Sequence, residues 1–112
     1  MAKLVITNHT LTVALSMSEK LHTLQRNLKV PLWAILGARA VADGMDEVRG
    51  VLGSGTEVPG VLTAGTLAYQ GTVTFAICRT RVPAVVIELS GQAFDRLVLT
   101  VADPDAVVAQ LA

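Results

Sequence analysis

Apolar and polar residues alternate over most of the first 15 positions, with one interruption at Asn8-His9. Leu11, Val13 and Leu15 are separated by Thr or Ala residues, which is typical of a strand with one buried face. Asn tolerates the positive φ angles of tight reversals. The pattern predicts a β-hairpin with its turn near Asn8-His9.

The period of the pattern then becomes helical. Either Ser16 or Ser18 can cap a helix, and Glu19 follows Ser16 at the spacing of a capping box. We predict a short amphipathic helix over 18–26, which ends before Pro31. Its buried stripe would consist of leucines spaced three and four residues apart: Leu21, Leu24 and Leu28. Its solvent face would carry polar residues: Lys20, His22, Gln25 and Arg26.

Residues 29–43 fit two interpretations. Their Ala, Leu and Arg content favours a helix, whereas Gly37 weakens it. A strand also fits, because every second residue would then share a face: Leu32, Ala34, Leu36, Ala38 and Ala40. Local pattern alone leaves helix and strand open.

Glycine and proline punctuate the chain from Asp43 to Gly60, so we predict a loop-rich segment that ends in a type II turn at Pro59-Gly60. Short apolar runs separated by turn residues follow, which is typical of an antiparallel barrel or sandwich. The predicted strands are 61–69, 72–80, 84–89 and 94–101. A final helix is predicted through Ala112, with Asp103 as cap and Pro104 in its first position.

This order of elements resembles a pleckstrin-homology (PH)-like fold, and in particular the small PH-like proteins of high-GC Gram-positive bacteria. The likeness spans nearly the whole chain, and its most specific block is 48–61. The residues that carry it are Ser18-Glu19-Lys20-Leu21, Lys29-Val30-Pro31-Leu32, Val48-Arg49-Gly50, Gly53-Ser54-Gly55-Thr56-Glu57-Val58-Pro59-Gly60-Val61, Gly65-Thr66, Arg81-Val82-Pro83-Ala84-Val85-Val86-Ile87-Glu88-Leu89, Phe94-Asp95-Arg96-Leu97-Val98-Leu99 and Asp103-Pro104-Asp105-Ala106-Val107. The chain departs from the family at Tyr69-Gln70-Gly71-Thr72-Val73, where more charge is expected.

The resemblance implies a mainly β fold with some helix. It has about seven antiparallel strands in two near-orthogonal sheets, arranged as a partly open barrel. It also implies a short helix after the first hairpin and a C-terminal capping helix, and it favours strand for 29–43. It implies no reaction.

Composition narrows the class of protein. The 112 residues are 52% hydrophobic and 16% charged, which excludes intrinsic disorder and predicts a single domain over 1–112. Nine Lys and Arg balance nine Asp and Glu, so no basic surface for nucleic acid or an anionic membrane is expected. The first hairpin offers only Lys3 and His9 as basic residues, so we expect no phosphoinositide binding. Without a signal or membrane-spanning segment, the expected location is the cytoplasm.

The motifs of common active sites are incomplete in this chain. Gly53-Ser54-Gly55 and Gly60 lack the Lys and helix of a phosphate loop, so the glycines are expected to serve turns. His9 and His22 are too far apart in sequence to predict a metal site. Cys78 lies in an apolar run and is expected to be a buried hydrophobe. We therefore expect a non-catalytic protein without metal or cofactor.

Charged residues and the single tryptophan offer the remaining candidates. Asp43, Asp46 and Glu47 are expected to be solvated or to cap a turn. Arg79 and Arg81 share a strand face, and Glu88 is expected to pair with one of them. Alternatively the two arginines and Arg49 form a partner-binding surface. Trp33 is expected in the core or under the last helix, and if exposed it would mark an interface.

The function expected from these residues is protein–protein contact or self-assembly by a PH-like module. The alternative is a small-molecule-binding protein, or a small enzyme, that uses a pocket within the barrel. The residues do not identify the partner, the ligand or the oligomeric state.

Overall fold

The structure is a computed structural model that describes residues 2–111, in which two helices and nine strands form two sheets. The strands are β1 (Lys3–Thr7), β2 (Thr10–Ala14), β3 (Leu28–Pro31), β4 (Ile35–Val41), β5 (Val51–Val58), β6 (Leu62–Tyr69), β7 (Thr72–Arg79), β8 (Ala84–Leu89) and β9 (Arg96–Leu99). The α-helices are α1 (Met17–Thr23) and α2 (Pro104–Leu111), and single 3-10 turns occupy Leu32–Ala34 and Gly44–Glu47. The chain is therefore mainly β, as predicted. The two sheets stay separate and do not close into a barrel.

The smaller sheet contains three antiparallel strands in the order β1-β2-β3. Asn8 and His9 connect the first two strands with φ angles of 50° and 60°. Two successive positive φ angles are typical of the two-residue turn whose twist matches that of the flanking strands. The predicted hairpin and its turn are confirmed.

The larger sheet has six strands in the order β4-β8-β9-β7-β6-β5. Its β7 and β9 are parallel, so the expectation that all strands are antiparallel is wrong for this pair. The cause is that β8 pairs with β4 and β9 but not with β7, which leaves the place beside β7 to β9. Asp95 joins the two strands where they begin: its carboxylate accepts from the Val73 N–H at 2.8 Å, and its own N–H donates to the Val73 carbonyl at 2.8 Å.

The loop predicted for 43–60 is wrong over much of its length, because β5 is an eight-residue edge strand that pairs with β6. Glycine weakens a strand by itself, but Gly55 and Gly65 face each other across β5 and β6, and a Cβ at either would overlap the other strand's main chain. The glycines therefore permit a close strand pairing here. The turn at Pro59-Gly60 is confirmed: Gly60 has a φ of 73°, and the Val61 N–H donates to the Val58 carbonyl at 2.9 Å.

Residues 29–43 are extended, as the resemblance favoured, but they form two strands in different sheets rather than one. The 3-10 turn at Leu32–Ala34 separates β3 from β4, and a bulge shifts the register between Ile35 and Gly37. Each interruption breaks the alternation of faces, so Ala34 is buried whereas Leu36 is 70% exposed. This division and the unpredicted β5 raise the count from the expected seven strands to nine.

Two apolar clusters occupy the two faces of the larger sheet, because successive residues of a strand point to opposite faces. The inner cluster combines both sheets, and its large members include Leu11, Val13, Phe75, Ile87, Leu97 and Leu99. The outer cluster consists of Leu67, Ala76, Cys78, Ala84, Val86 and Val98, with Met45 and Val48 packed against it.

The last helix covers one side of the inner cluster. Asp103 caps it by accepting from the Ala106 N–H at 3.1 Å, and Pro104 is its first residue, so the predicted start is confirmed. Its apolar side packs against the inner cluster through Val107, Val108 and Leu111.

Candidate functional site

The arginines singled out from the sequence do not form one site. Arg79 ends β7 and lines a cavity beside α1, whereas Arg49 lines a second cavity. Arg81 lies in the β7–β8 connection with a φ of 62° and lines neither. The alternative of a single binding surface formed by these three arginines therefore loses its geometric basis.

The ion pair expected between Glu88 and Arg79 or Arg81 is wrong. Glu88 faces Arg96 across β8 and β9, and the Nε of Arg96 lies 2.8 Å from the Oε1 of Glu88. The atoms are at ion-pair distance, but their alignment does not make a hydrogen bond. Sequence reasoning missed this partner because β9 is inserted between β7 and β8, which only long-range pairing decides.

The second cavity, of about 260 Å³, lies beside these charges, and Glu47, Arg49, Tyr69 and Arg96 are among its lining residues. Glu47 holds both guanidinium nitrogens of Arg39 at 2.9 Å, and this hydrogen bonding is the main cause that lowers the pKa of Glu47. The Arg39 side chain is 50% exposed, so the pair contributes little stability.

Asp43 and Asp46, the carboxylates that precede Glu47 in the chain, behave as predicted. Asp43 caps the Gly44–Glu47 turn, because its Oδ1 accepts from the Met45 N–H at 3.0 Å. Asp46 is exposed.

Cys78 is a buried residue of the outer cluster, as predicted. Its thiol donates to the Met45 sulfur at 3.6 Å. Burial is the main cause that raises the pKa of the thiol to about 12, and the negative charge of Asp43 adds to it. The thiolate is the reactive form of cysteine, so this side chain is a poor nucleophile at neutral pH.

We predict that a thiol-specific disulfide reagent labels Cys78 in the folded protein far more slowly than in the unfolded chain. The pKa rises from 9.0 to about 12, which lowers the thiolate fraction about a thousandfold at pH 7, and burial restricts access further. The measurement is the labelling rate with and without denaturant. Equal rates in the two conditions would contradict the placement of Cys78 in the outer cluster.

The first cavity has a volume of about 320 Å³ and lies between α1 and the ends of β6 and β7. One wall is apolar and consists of Leu62, Ala64 and Ile77. Ala64 pairs with Ile77, and Leu62 is two residues before Ala64, so all three side chains share a face of the sheet. The exposed Arg79, which pairs with Leu62, lies at the edge of this wall.

The opposite wall is the polar side of α1, with Ser18, Glu19 and His22. The Oγ of Ser18 lies 3.5 Å from the Nδ1 of His22. The Ser16 N–H donates to the Oε1 of Glu19 at 2.8 Å, and the Glu19 N–H donates to the Oγ of Ser16 at 3.1 Å. The predicted capping box is confirmed, and it holds the Glu19 carboxylate at the start of its own helix.

The orientation predicted for this helix is wrong. Leu21 and Leu24 are 71% and 73% exposed, and only Leu28 is buried, as part of β3. The helix ends at Thr23 because Leu24 is left-handed with a φ of 57°, and the main chain is attached to β5 by the Thr56 hydroxyl, which donates to the His22 carbonyl at 2.9 Å. Tertiary contacts therefore turn the leucines outward.

Thr63 and Thr100 contain buried hydroxyls that have no hydrogen-bond partner within 2–111. Thr63 pairs with Cys78 across β6 and β7, so its side chain lies on the outer face and not with Ala64. Both residues are nevertheless among those that line the cavity beside α1.

Trp33 is 78% exposed, so the expectation that it lies in the core or under α2 is wrong. It occupies the middle of the Leu32–Ala34 turn, and the buried residue of that turn is its neighbour Ala34. Leu36, three residues later, is exposed as well. The alternative predicted from the sequence is that an exposed Trp33 marks an interface.

Metal and nucleotide candidates find no supporting geometry in the described part of the chain. Among residues 2–111, no three His, Cys, Asp or Glu side chains lie together as a metal site would need. His9 is in the first hairpin turn and His22 is on α1, while Gly53 and Gly55 belong to β5.

The two α-helices of the described residues, α1 and α2, are not long and apolar enough to cross a bilayer.

Comparison with known proteins does not place the chain in a family: no protein-family model, no curated protein and no solved structure matches it.

Proposed function

We propose that this protein is a non-catalytic, PH-like module that makes protein–protein contacts or assembles with itself. Its two separate sheets and its C-terminal helix support the PH-like proposal. The parallel β7–β9 pair departs from the antiparallel arrangement that such a fold implies.

The observation that carries the functional proposal is the exposure of Trp33. An indole ring is among the largest apolar surfaces that a side chain can offer, and tryptophan is enriched among the residues that dominate binding energy in protein interfaces. Leu36 adds a second exposed apolar side chain to the same connection and strand start. Covering these side chains with a protein surface would remove their apolar area from water, which is favourable.

Trp33 also provides the experiment, because it is the only tryptophan of the chain and its fluorescence reports on this position alone. Self-assembly predicts that the emission shifts to shorter wavelength as protein concentration rises, together with an increase in sedimentation coefficient. Trp33→Ala should weaken association about 30-fold, the effect of losing a strong interface residue. Tyr69→Ala, which removes another exposed aromatic residue from a different element, is the matched control.

A different protein partner predicts that the emission responds to that partner and not to protein concentration. In that case Trp33→Ala should abolish its binding, and Tyr69→Ala should retain it. The proposal is overturned if the emission of Trp33 stays that of a solvated indole in both settings and Trp33→Ala changes no association.

A second candidate function, small-molecule binding, is favoured by the cavity between α1 and β6–β7. Its volume of about 320 Å³ is at the lower end of the range for ligand pockets. Like such pockets, it combines an apolar wall with a few polar groups.

A further inference from the structure

We propose that the cavity beside α1 binds a small aliphatic monocarboxylate, with the carboxylate at Arg79 and the hydrocarbon against Leu62, Ala64 and Ile77. This inference rests on the second candidate function and adds the chemical class of the ligand. The two walls of the cavity and the charges at its edge carry the argument.

The apolar wall sets the body of the ligand. Leu62, Ala64 and Ile77 present only hydrocarbon to the cavity, because their side chains share the face that looks toward α1. Burying a hydrocarbon chain there removes its apolar surface from water, which is favourable. A ligand without an apolar portion would leave this wall unused.

The charges at the edge set the polar end of the ligand. Arg79 is the only Lys or Arg that lines the cavity, and among residues 2–111 it has no acidic partner. Guanidinium groups bind carboxylates through two parallel hydrogen bonds. The hydroxyl of Ser18 and the imidazole of His22 lie on the opposite wall as further hydrogen-bonding groups.

The remaining titratable groups limit the ligand to a single negative charge. Glu19 also lines the cavity, and its carboxylate is used in the capping box. One arginine balances the charge of one carboxylate ligand, whereas a doubly charged phosphate would keep half of its charge uncompensated by Arg79. The Cys78 thiol stays neutral because its pKa is about 12.

The experiment compares octanoate, octan-1-ol and octan-1-amine as probes by calorimetric titration of the intact protein. Octan-1-ol leaves water for an apolar site more readily than an ionised carboxylate does, so a preference for octanoate requires a cation in the site. We expect octanoate to bind most tightly with one molecule per chain. Amide NMR shifts at Leu62 and Ile77 should locate it in this cavity.

Arg79→Gln tests the anchor, and Arg81→Gln is the matched control because Arg81 lies two residues away and does not line the cavity. Loss of a charge-assisted hydrogen-bonded pair should weaken octanoate binding by about tenfold or more, with octan-1-ol unchanged. Both arginines are exposed, so both variants should fold. Ala64→Leu fills the apolar wall and should weaken both probes.

Each contrary result overturns a defined part of the proposal. If octan-1-ol and octanoate bind equally and Arg79→Gln changes neither, the carboxylate assignment fails while small-molecule binding stands. Tighter binding of octan-1-amine would assign the edge to Glu19 and overturn the role of Arg79. If no probe perturbs the cavity residues, the inference fails together with the second candidate function.

Discussion

Gly55→Ala should destabilise the protein by about 3 kcal/mol, which combines the cost of a left-handed conformation in a residue with a Cβ and the cost of steric overlap. Gly55 has a φ of 122°, and a Cβ there would overlap the carbonyl oxygen of Ala64. The positive φ and the overlapping carbonyl oxygen are both properties of the main chain, so no side-chain rearrangement relieves the strain. Chemical denaturation monitored by circular dichroism measures the change in unfolding free energy.

Gly53→Ala is the matched control on the same edge strand. Its φ is not positive, and the nearest atom to an added Cβ is the Thr66 carbonyl oxygen at an ordinary 3.7 Å. The substitution should leave stability unchanged or raise it by up to about 1 kcal/mol, since alanine is less costly to order than glycine. Equal losses at the two positions would show that glycine is needed along β5 for another reason than close approach.

Phe75→Ala should cost about 3–5 kcal/mol, the usual range for deleting a fully buried aromatic side chain. Phe75 is 0% exposed at the centre of the inner cluster, and its ring lies 5.3 Å from that of Phe94, centroid to centroid. Its removal takes contacts from both sheets and leaves a void. The thermal or denaturant midpoint should fall accordingly, and Phe75→Leu should show a smaller loss.

Trp33→Ala is the informative comparison for Phe75, because it deletes a still larger aromatic group. Trp33 contacts little of the folded chain, so its loss should change the unfolding free energy of the monomer by less than about 0.5 kcal/mol. A large loss in Trp33→Ala would place the ring in the core and remove the basis of the proposed interface. A negligible loss in Phe75→Ala would contradict the inner cluster.

Two groups of exposed apolar residues lie at different places, and only the one at Trp33 enters the proposals. Trp33 belongs to the connection between β3 and β4, whereas Leu21 and Leu24 belong to the outward side of α1 and just beyond it. The polar side of α1 lines the cavity, so the helix presents its hydrogen-bonding groups to a ligand. The variants Trp33→Ala and Arg79→Gln therefore test separate surfaces and should not influence each other's result.

Local signals in the sequence determined the turns and helix starts. Asn8-His9, Pro59-Gly60 and Asp103-Pro104 have the expected structures because each depends on the conformational preference or the side-chain oxygen of the residue itself. The capping box of Ser16 and Glu19 is equally local. The strands β6, β7 and β8 also follow from their own apolar runs, which turn residues separate.

Only the tertiary structure decided the features that require a distant partner. Gly55 belongs to a strand because Gly65 lies opposite, and Arg96 meets Glu88 because β9 is inserted beside β8. Sequence spacing gives Leu21 and Leu24 the same weight as buried leucines, yet the packing of α1 against β5 and β6 turns them outward. The exposure of Trp33 and the position of Arg79 beside the cavity belong to this second group. They depend on which main-chain segments approach each other, and the identity of a residue does not contain that information.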